Sequence, residues 1–301
     1  MKNVLVIYYS QSGQLEEIAR SIAQPFLEDE GVHLDFYEIR TVHSFPFPWR
    51  GDVFFNVFPE TFQQIPEEIH PPATHILEKK YDLVLFHYQV WYLTPSIPIN
   101  SFLKSPYASM ILKDTAVVTI SGSRNMWARA QDKVKVLLLQ NGAKLVGNIA
   151  LTDRHHNMIS VVTIVDWLFS GVKRRAYGIF PLPGVAEQEI KGAFKYGETI
   201  LSSLKNDNFE GMQSRLLVQG AVDYKFFLVS MDKKANRMFH IWSTVILKNP
   251  KKRKLLVNCF KYYVIFAIYF LSPIVFLIEL LLFPILYFAK IRKEKAHYQG
   301  I

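Results

Sequence analysis

Val4-Leu5-Val6-Ile7-Tyr8-Tyr9-Ser10-Gln11-Ser12-Gly13-Gln14-Leu15 decides how the chain is read. Val4 to Tyr9 is a β-branched and aromatic run that fits a buried strand. A polar turn follows, Ser10-Gln11-Ser12-Gly13-Gln14, and then helical spacing sets Leu15, Ile18, Ala19 and Ile22 on one face. A strand, a hydroxyl-and-glycine loop and a helix start together make an anion site. The first N–H groups of a helix have no intrahelical acceptor, and the helix dipole favours negative charge there. Ser10 and Ser12 add hydroxyl donors, and Gly13 lets the backbone approach a ligand closely. The plainer alternative is a serine-rich turn with no ligand.

Working outward, Val32–Ile39 alternates well enough for a second strand, and Pro25 is expected to end or bend the helix begun near Gln14. Residues 41–80 hold SFPFPW, FFNVFPETF and IHPPATH, in which proline blocks long regular elements. This insert reads as a lid or pocket wall, or as a surface excursion tied down by its aromatics. Tyr81–His87, Thr115–Ser121 and Lys144–Leu151 supply three more strands. Ala186–Leu204 reads as a last domain helix. The expected fold is α/β, a doubly wound parallel sheet of five strands in the order 2-1-3-4-5.

Ligands in such sheets sit beyond the carboxyl ends of the strands. On that rim lie Tyr88-Gln89-Val90-Trp91-Tyr92-Leu93, Ser121-Gly122-Ser123-Arg124 and Arg154-His155-His156. Trp91 and Tyr92 suit stacking on a planar ring, or one of them caps the sheet. Arg124 is suited to stabilising developing negative charge, or is a solvated loop cation. His155 and His156 are candidate acid/base groups, or solvent-facing histidines without a role. A metal is not expected, since no third ligand stands at a sensible spacing.

The net charge of +9 belongs to the C-terminus: residues 224–301 hold 14 Lys or Arg against 3 Asp or Glu. Residues 206–254 read as a basic linker. Tyr262–Ala289 then carries one charge, Glu279, between the basic flanks Lys251-Lys252-Arg253-Lys254 and Lys290-Ile291-Arg292-Lys293. That run is longer than one hydrocarbon crossing needs. Residues 255–301 are therefore expected to anchor the chain to a membrane, as a re-entrant hairpin bent at Pro273 and Pro284 or as one tilted span. Basic residues beside it favour anionic lipid, and nucleic acid is not expected as a partner. One cysteine, Cys259, and no visible signal peptide fit a reducing compartment, at the cytoplasmic face of the inner membrane.

Residues 1–205 resemble the flavodoxin-like superfamily, because Ser10-Gln11-Ser12-Gly13-Gln14 is similar to the loop that cradles the phosphate of FMN. The usual pattern closes with one more hydroxyl residue, where this chain has Leu15. The resemblance implies FMN as cofactor. It implies that Trp91, Tyr92 and Leu93 frame the isoalloxazine, and that Ser121–Arg124 meets its pyrimidine edge. More narrowly, MKNVLVIYYSQSGQL, the aromatic insert and the apolar C-terminus resemble the bacterial dialkylresorcinol-condensing enzymes. That implies FMN-dependent aromatisation of an alkylated cyclohexanedione beside a ketosynthase. His155 or His156 would then be base and Tyr88 or Tyr92 proton relay for a lipophilic substrate. Two other functions fit the same residues: a membrane NAD(P)H:quinone reductase and a flavodoxin-type electron carrier. A degenerate, cofactor-free scaffold is a further possibility.

Overall fold

The structure, a computed structural model, describes residues 1–286 and 288–301, with side chains described outside 282–290. Five parallel strands form the sheet: β1 (Lys2–Tyr8), β2 (Val32–Glu38), β3 (Leu83–Trp91), β5 (Ala116–Ser123) and β6 (Lys144–Thr152). Their order is β2-β1-β3-β5-β6; the parallel strands counted alone run 2-1-3-4-5, but the whole sheet differs from the expected one. A sixth strand was not expected: β4 (Thr94–Pro95) turns back antiparallel on the end of β3.

The period of two along each strand divides the core. Val4, Val6 and Tyr8 face one layer with Leu83, Leu85, Val118 and Ile120. Leu5 and Ile7 face the other with Val84, Phe86 and Val117. Helices Gln14–Leu27 and Phe194–Lys205 cover the first face, and Ile97–Leu103, Pro106–Leu112 and Ala128–Gln140 the second. Helix Gln14–Leu27 runs on through Pro25, because a proline in the last turn removes only one of the terminal bonds. The single helix expected over Ala186–Leu204 is two, Glu187–Lys191 and Phe194–Lys205, parted at Gly192-Ala193.

The stretch read as a linker is folded. Met212–Val218 and Phe226–Lys248 are helices, and Val222 makes a parallel bridge to Ala150 at the edge of the sheet. Helices follow over Arg253–Phe266, Ser272–Leu286 and Phe288–Gln299, the first two joined by a π-helical segment at Ala267–Leu271. Pro250–Leu281 is a helix of 32 residues whose most apolar 18-residue stretch has mean hydropathy 2.5, long and apolar enough to cross a membrane by length and composition. Pro273 and Pro284 both lie within helix Ser272–Leu286, so the chain does not turn into a hairpin at either; Tyr287 lies outside the described residues.

Both ends of this apolar segment are fastened to the α/β body. Arg253 holds Glu60 of the insert with two bonds of 2.7 Å and also donates to Asn56. Tyr298 is buried with Trp127, its ring centroid 6.0 Å away, and donates to Asp132 at 3.1 Å. Glu279, the only charge in the run, points inward, accepting from Ser230 and Lys234 of helix Phe226–Lys248. The tail is therefore packed on the domain rather than tethered to it.

Candidate functional site

The loop after β1 enters helix Gln14–Leu27 through Gly13, whose φ of 85° is left-handed backbone. A Cβ there would meet nothing within 4 Å, so the loop surface is open at that point. Ser10 Oγ accepts from Glu16 N at 3.2 Å and Gly13 O from Glu17 N at 3.0 Å. The N–H groups ahead of Glu16 belong to the first turn and have no helical acceptor, the feature an anion site uses. Not every residue of the loop is free to bind. Gln11 accepts from Tyr9 Oη at 2.5 Å and donates to Pro46 O at 2.7 Å, which ties the insert to the rim. Gln14 brackets Val185, accepting from its N at 3.0 Å and donating to its O at 3.2 Å. Ser12 lines the groove described next, and Gly13 stands beside it in the chain.

Leu15, where a hydroxyl residue is usual, is buried. Gly122 lies against it: a Cβ on Gly122 would come within 2.9 Å of Leu15 Cδ1. Leu15 thus packs helix Gln14–Leu27 onto β5.

A groove of about 250 Å³ opens beside this loop. Its floor is Leu15, Ile18 and Gly122, and one wall is Trp91 with Trp49 and Phe54 of the insert. Trp167 and Leu168 of helix Asn157–Ser170 also line it, Leu168 O accepting from Trp49 N at 2.8 Å. Trp91 meets Tyr9, Phe45 and Trp49 edge-on, with centroids 5.1–6.1 Å apart. The insert is thus a pocket wall. Trp49, Phe54 and Trp167 are site residues that the sequence did not single out; the proline-flanked aromatics at 45–49 were the available signal.

Tyr92 and Leu93 form a two-residue turn between β3 and β4 with φ of 49° and 64°. Such turns normally carry Asn or Gly, and bulky residues there are strained. Tyr92 is held by Phe58 at 5.1 Å and by a 2.6 Å bond to Phe54 O, in an aromatic cluster that also takes Phe239 and Phe260 from the tail. It touches the groove, but its ring is committed to this cluster. Leu93 is buried beside it.

From β5, Gly122, Ser123 and Arg124 reach the groove. Ser123 Oγ is buried and has no partner among the described residues. Ser121 lies below, fully buried. Arg124 is fixed by Asn157, donating to its Oδ1 at 2.8 Å. Burial brings the Arg124 guanidinium down to about 10, against the opposing pull of Asp153.

Two expectations about acid/base groups need correction. Tyr88 is in the core, not on the rim. Its hydroxyl donates to Gln131 at 2.6 Å, burial pushes its pKa up, and it lines neither cavity described here. A proton relay at Tyr88 is excluded by that placement. His155 and His156 are exposed and line a second cavity of about 550 Å³ instead of the phosphate-loop groove. His155 N donates to Asp153 Oδ1 at 2.9 Å, and His156 Nδ1 caps helix Asn157–Ser170. The contact between Arg124 and Asn157 stands where the two cavities adjoin. Among the described residues no group of three His, Cys, Asp or Glu is placed to hold a metal.

No protein-family model and no curated protein sequence matches the chain. Solved structures similar in part include a flavoprotein in complex with FMN from Lactobacillus acidophilus NCFM. It is 19% identical, with 50% of this chain and 93% of that one covered and a TM-score of 0.39. Flavodoxin 1 from Bacillus cereus, oxidised, is 16% identical over 65% and 95% of the two chains, with a TM-score of 0.36. A flavodoxin from the domain Archaea is 10% identical over 68% and 99%, with a TM-score of 0.37. The doubly wound topology itself stands on the strand order and rim loops of this chain.

Proposed function

We propose that the chain binds FMN in the phosphate-loop groove and is an oxidoreductase for a lipophilic ring substrate. The supporting observation is the conjunction on one rim of an open helix N-terminus, an indole wall and a buried hydroxyl without a partner. Backbone amides around Ser12 and Gly13 would hold the phosphate, Trp91 would lie along the ring, and Ser123 Oγ would gain a partner at its edge. The groove's 250 Å³ falls just below the roughly 300–1,000 Å³ usual for ligand clefts. Bound flavin supplies hydride acceptance. The protein's part is to bury the ring, fix Arg124 beside it, and present the substrate.

The narrower reading is aromatisation of an alkylated cyclohexanedione to a dialkylresorcinol, beside a ketosynthase. His155 and His156 remain the proposed proton acceptors for that reaction. We also read the tail as membrane-associated. The outward faces of Tyr262, Phe266, Phe270, Leu277 and Leu281 are half exposed or more, and lysines stand at Lys251, Lys252 and Lys254. A lipophilic substrate would be met at that surface.

FMN and riboflavin differ by one phosphate, so their affinities for the apoprotein isolate the cradle. The expected result is FMN binding at least tenfold tighter than riboflavin, with the gap closed by Gly13→Pro. Equal affinities would remove the phosphate loop from the assignment.

A further inference from the structure

The cavity of about 550 Å³ beside His155 is a different place from the phosphate-loop groove. It lies where the 152–158 loop, the start of helix Phe226–Lys248 and the apolar helix from Ser272 converge. Its deep walls are Trp127, Leu228 and Val229, with Phe276 and Pro273 completing it on the apolar-helix side. Trp127 and Val229 are buried in the main core. On the same helix, Phe270, Ile274 and Leu277 are 62%, 53% and 58% exposed, so one wall of the cavity borders the face read as lipid-facing.

The polar end carries a specific demand. Arg124 donates to Asn157 Oδ1 at 2.8 Å, which fixes that atom as an acceptor. Asn125 must then turn its Nδ2 to the same oxygen, also at 2.8 Å. This orientation leaves Asn125 Oδ1, on a side chain that lines the cavity and is 6% exposed, as an acceptor without a partner among the described residues. A buried acceptor left without a donor is costly, so a ligand that donates there is favoured. The nearby cations are already neutralised: Arg154 pairs with Glu189 and Asp223, and Lys225 with Asp223 at 3.3 Å. No charge is left over for an anionic head.

We propose that this cavity binds a neutral amphiphile with one alkyl chain and a hydroxyl-bearing head, entering from the bilayer side. The chain lies between Trp127, Leu228 and Phe276, and a head hydroxyl donates to Asn125 Oδ1. The assignment rests on the membrane reading of the tail and stands whether or not flavin occupies the other groove.

Full-length protein in zwitterionic nanodiscs, titrated with a monoacylglycerol brominated in mid-chain, provides the test, since bromine quenches tryptophan only at short range. Saturable quenching is expected, with its main component absent in Trp127→Phe. The methyl ester of the same brominated acid lacks a donor, and the free acid is anionic; both should bind at least fivefold more weakly. Asn125→Leu should erase the preference for monoacylglycerol over methyl ester. Quenching that rises linearly with lipid, or persists in Trp127→Phe, would overturn the site. Methyl ester binding as well as monoacylglycerol would overturn the role of Asn125, and tighter binding of the free acid would overturn the neutral head.

Discussion

Leu15 and Gly122 show how one pair of residues sets the character of the rim. A Cβ added at Gly122 would stand 2.9 Å from Leu15 Cδ1 and 3.3 Å from Ile18 Cδ1. Gly122→Ala should cost about 1–3 kcal/mol by overpacking. Combining it with Leu15→Val should cost less than the sum of the two single changes, as denaturant midpoints would show; strict additivity would mean that the two do not share space. At Gly13 the constraint is backbone rather than volume. With φ at 85° and nothing within 4 Å of a Cβ, Gly13→Ala should cost about 1–2 kcal/mol of stability. It should also weaken FMN binding, because the amides shift; unchanged affinity on titration would count against the cradle. At this scale the sequence was legible where a residue has one job. Gly13 was read from its place in the loop. Tyr88 was misread because its neighbours in sequence line the rim, while strand alternation turns its own side chain to Gln131. The turn at Tyr92-Leu93 lacks the glycine or asparagine that would have announced it.

Helix Phe226–Lys248 shows the same limits at the level of an element. Its inward residues are Val229, Asp232, Ser243 and Ile246, so its buried face has no apolar stripe to be recognised from sequence. Asp232 is the reason to examine it closely. Its Oδ2 accepts from Arg129 N at 3.0 Å, capping helix Ala128–Gln140 from another element. Burial pushes the carboxyl up to about 7, opposed by that bond and by Arg129 and Lys133. Burial also brings Lys133 down to about 8. A carboxyl with its folded pKa near 7 and its unfolded pKa near about 3.9 is penalised when ionised in the folded state. Its contribution therefore falls as pH rises from about 4 through 7. His87 is also buried, and its pKa lies near 4, so it works in the opposite sense as pH falls below about 6.5. Comparison with Asp232→Asn isolates the carboxyl: the variant should gain on wild type as pH rises from 5 to 8. A stability difference constant over that range would show that Asp232 does not titrate there. Tyr298 tests the other end of the tail. Buried against Trp127 and bonded to Asp132, it should cost about 3 kcal/mol or more on replacement by alanine, with exchange of helix Phe288–Gln299 amides quickened first. Amide exchange unchanged there would mean that the C-terminal helix is held elsewhere.

For the molecule as a whole, the apolar segment and the α/β body form one packed unit. A 32-residue helix rises about 48 Å, more than the roughly 30 Å of hydrocarbon, yet it is fastened to the body in its own first turn at Arg253, and the chain is fastened again beyond it at Tyr298. That arrangement suits a segment lying along a membrane surface more than one ending on the far side. Full-length protein should sediment with vesicles rich in anionic lipid, and Leu277→Lys with Leu281→Lys should release it. Sedimentation unaffected by those changes would place the contact elsewhere. The five parallel strands and their rim loops were legible because each strand is a short apolar run ended by polar turn residues. The packing of the tail was not, because an apolar run looks alike whether lipid or protein covers it, and only the inward Glu279 distinguishes its faces. The second cavity was equally hidden, since it is assembled from Trp127, Leu228 and Phe276, which are far apart in sequence.

The claim on which the functional account depends is that the groove beside Ser12 and Gly13 holds a phosphorylated flavin. Its most direct test is the visible spectrum of full-length protein purified in detergent, followed by identification of what is released on denaturation. The account predicts a flavin spectrum and FMN in near-stoichiometric amount. Colourless protein that takes up no added FMN, or a released cofactor without a phosphate, would contradict it.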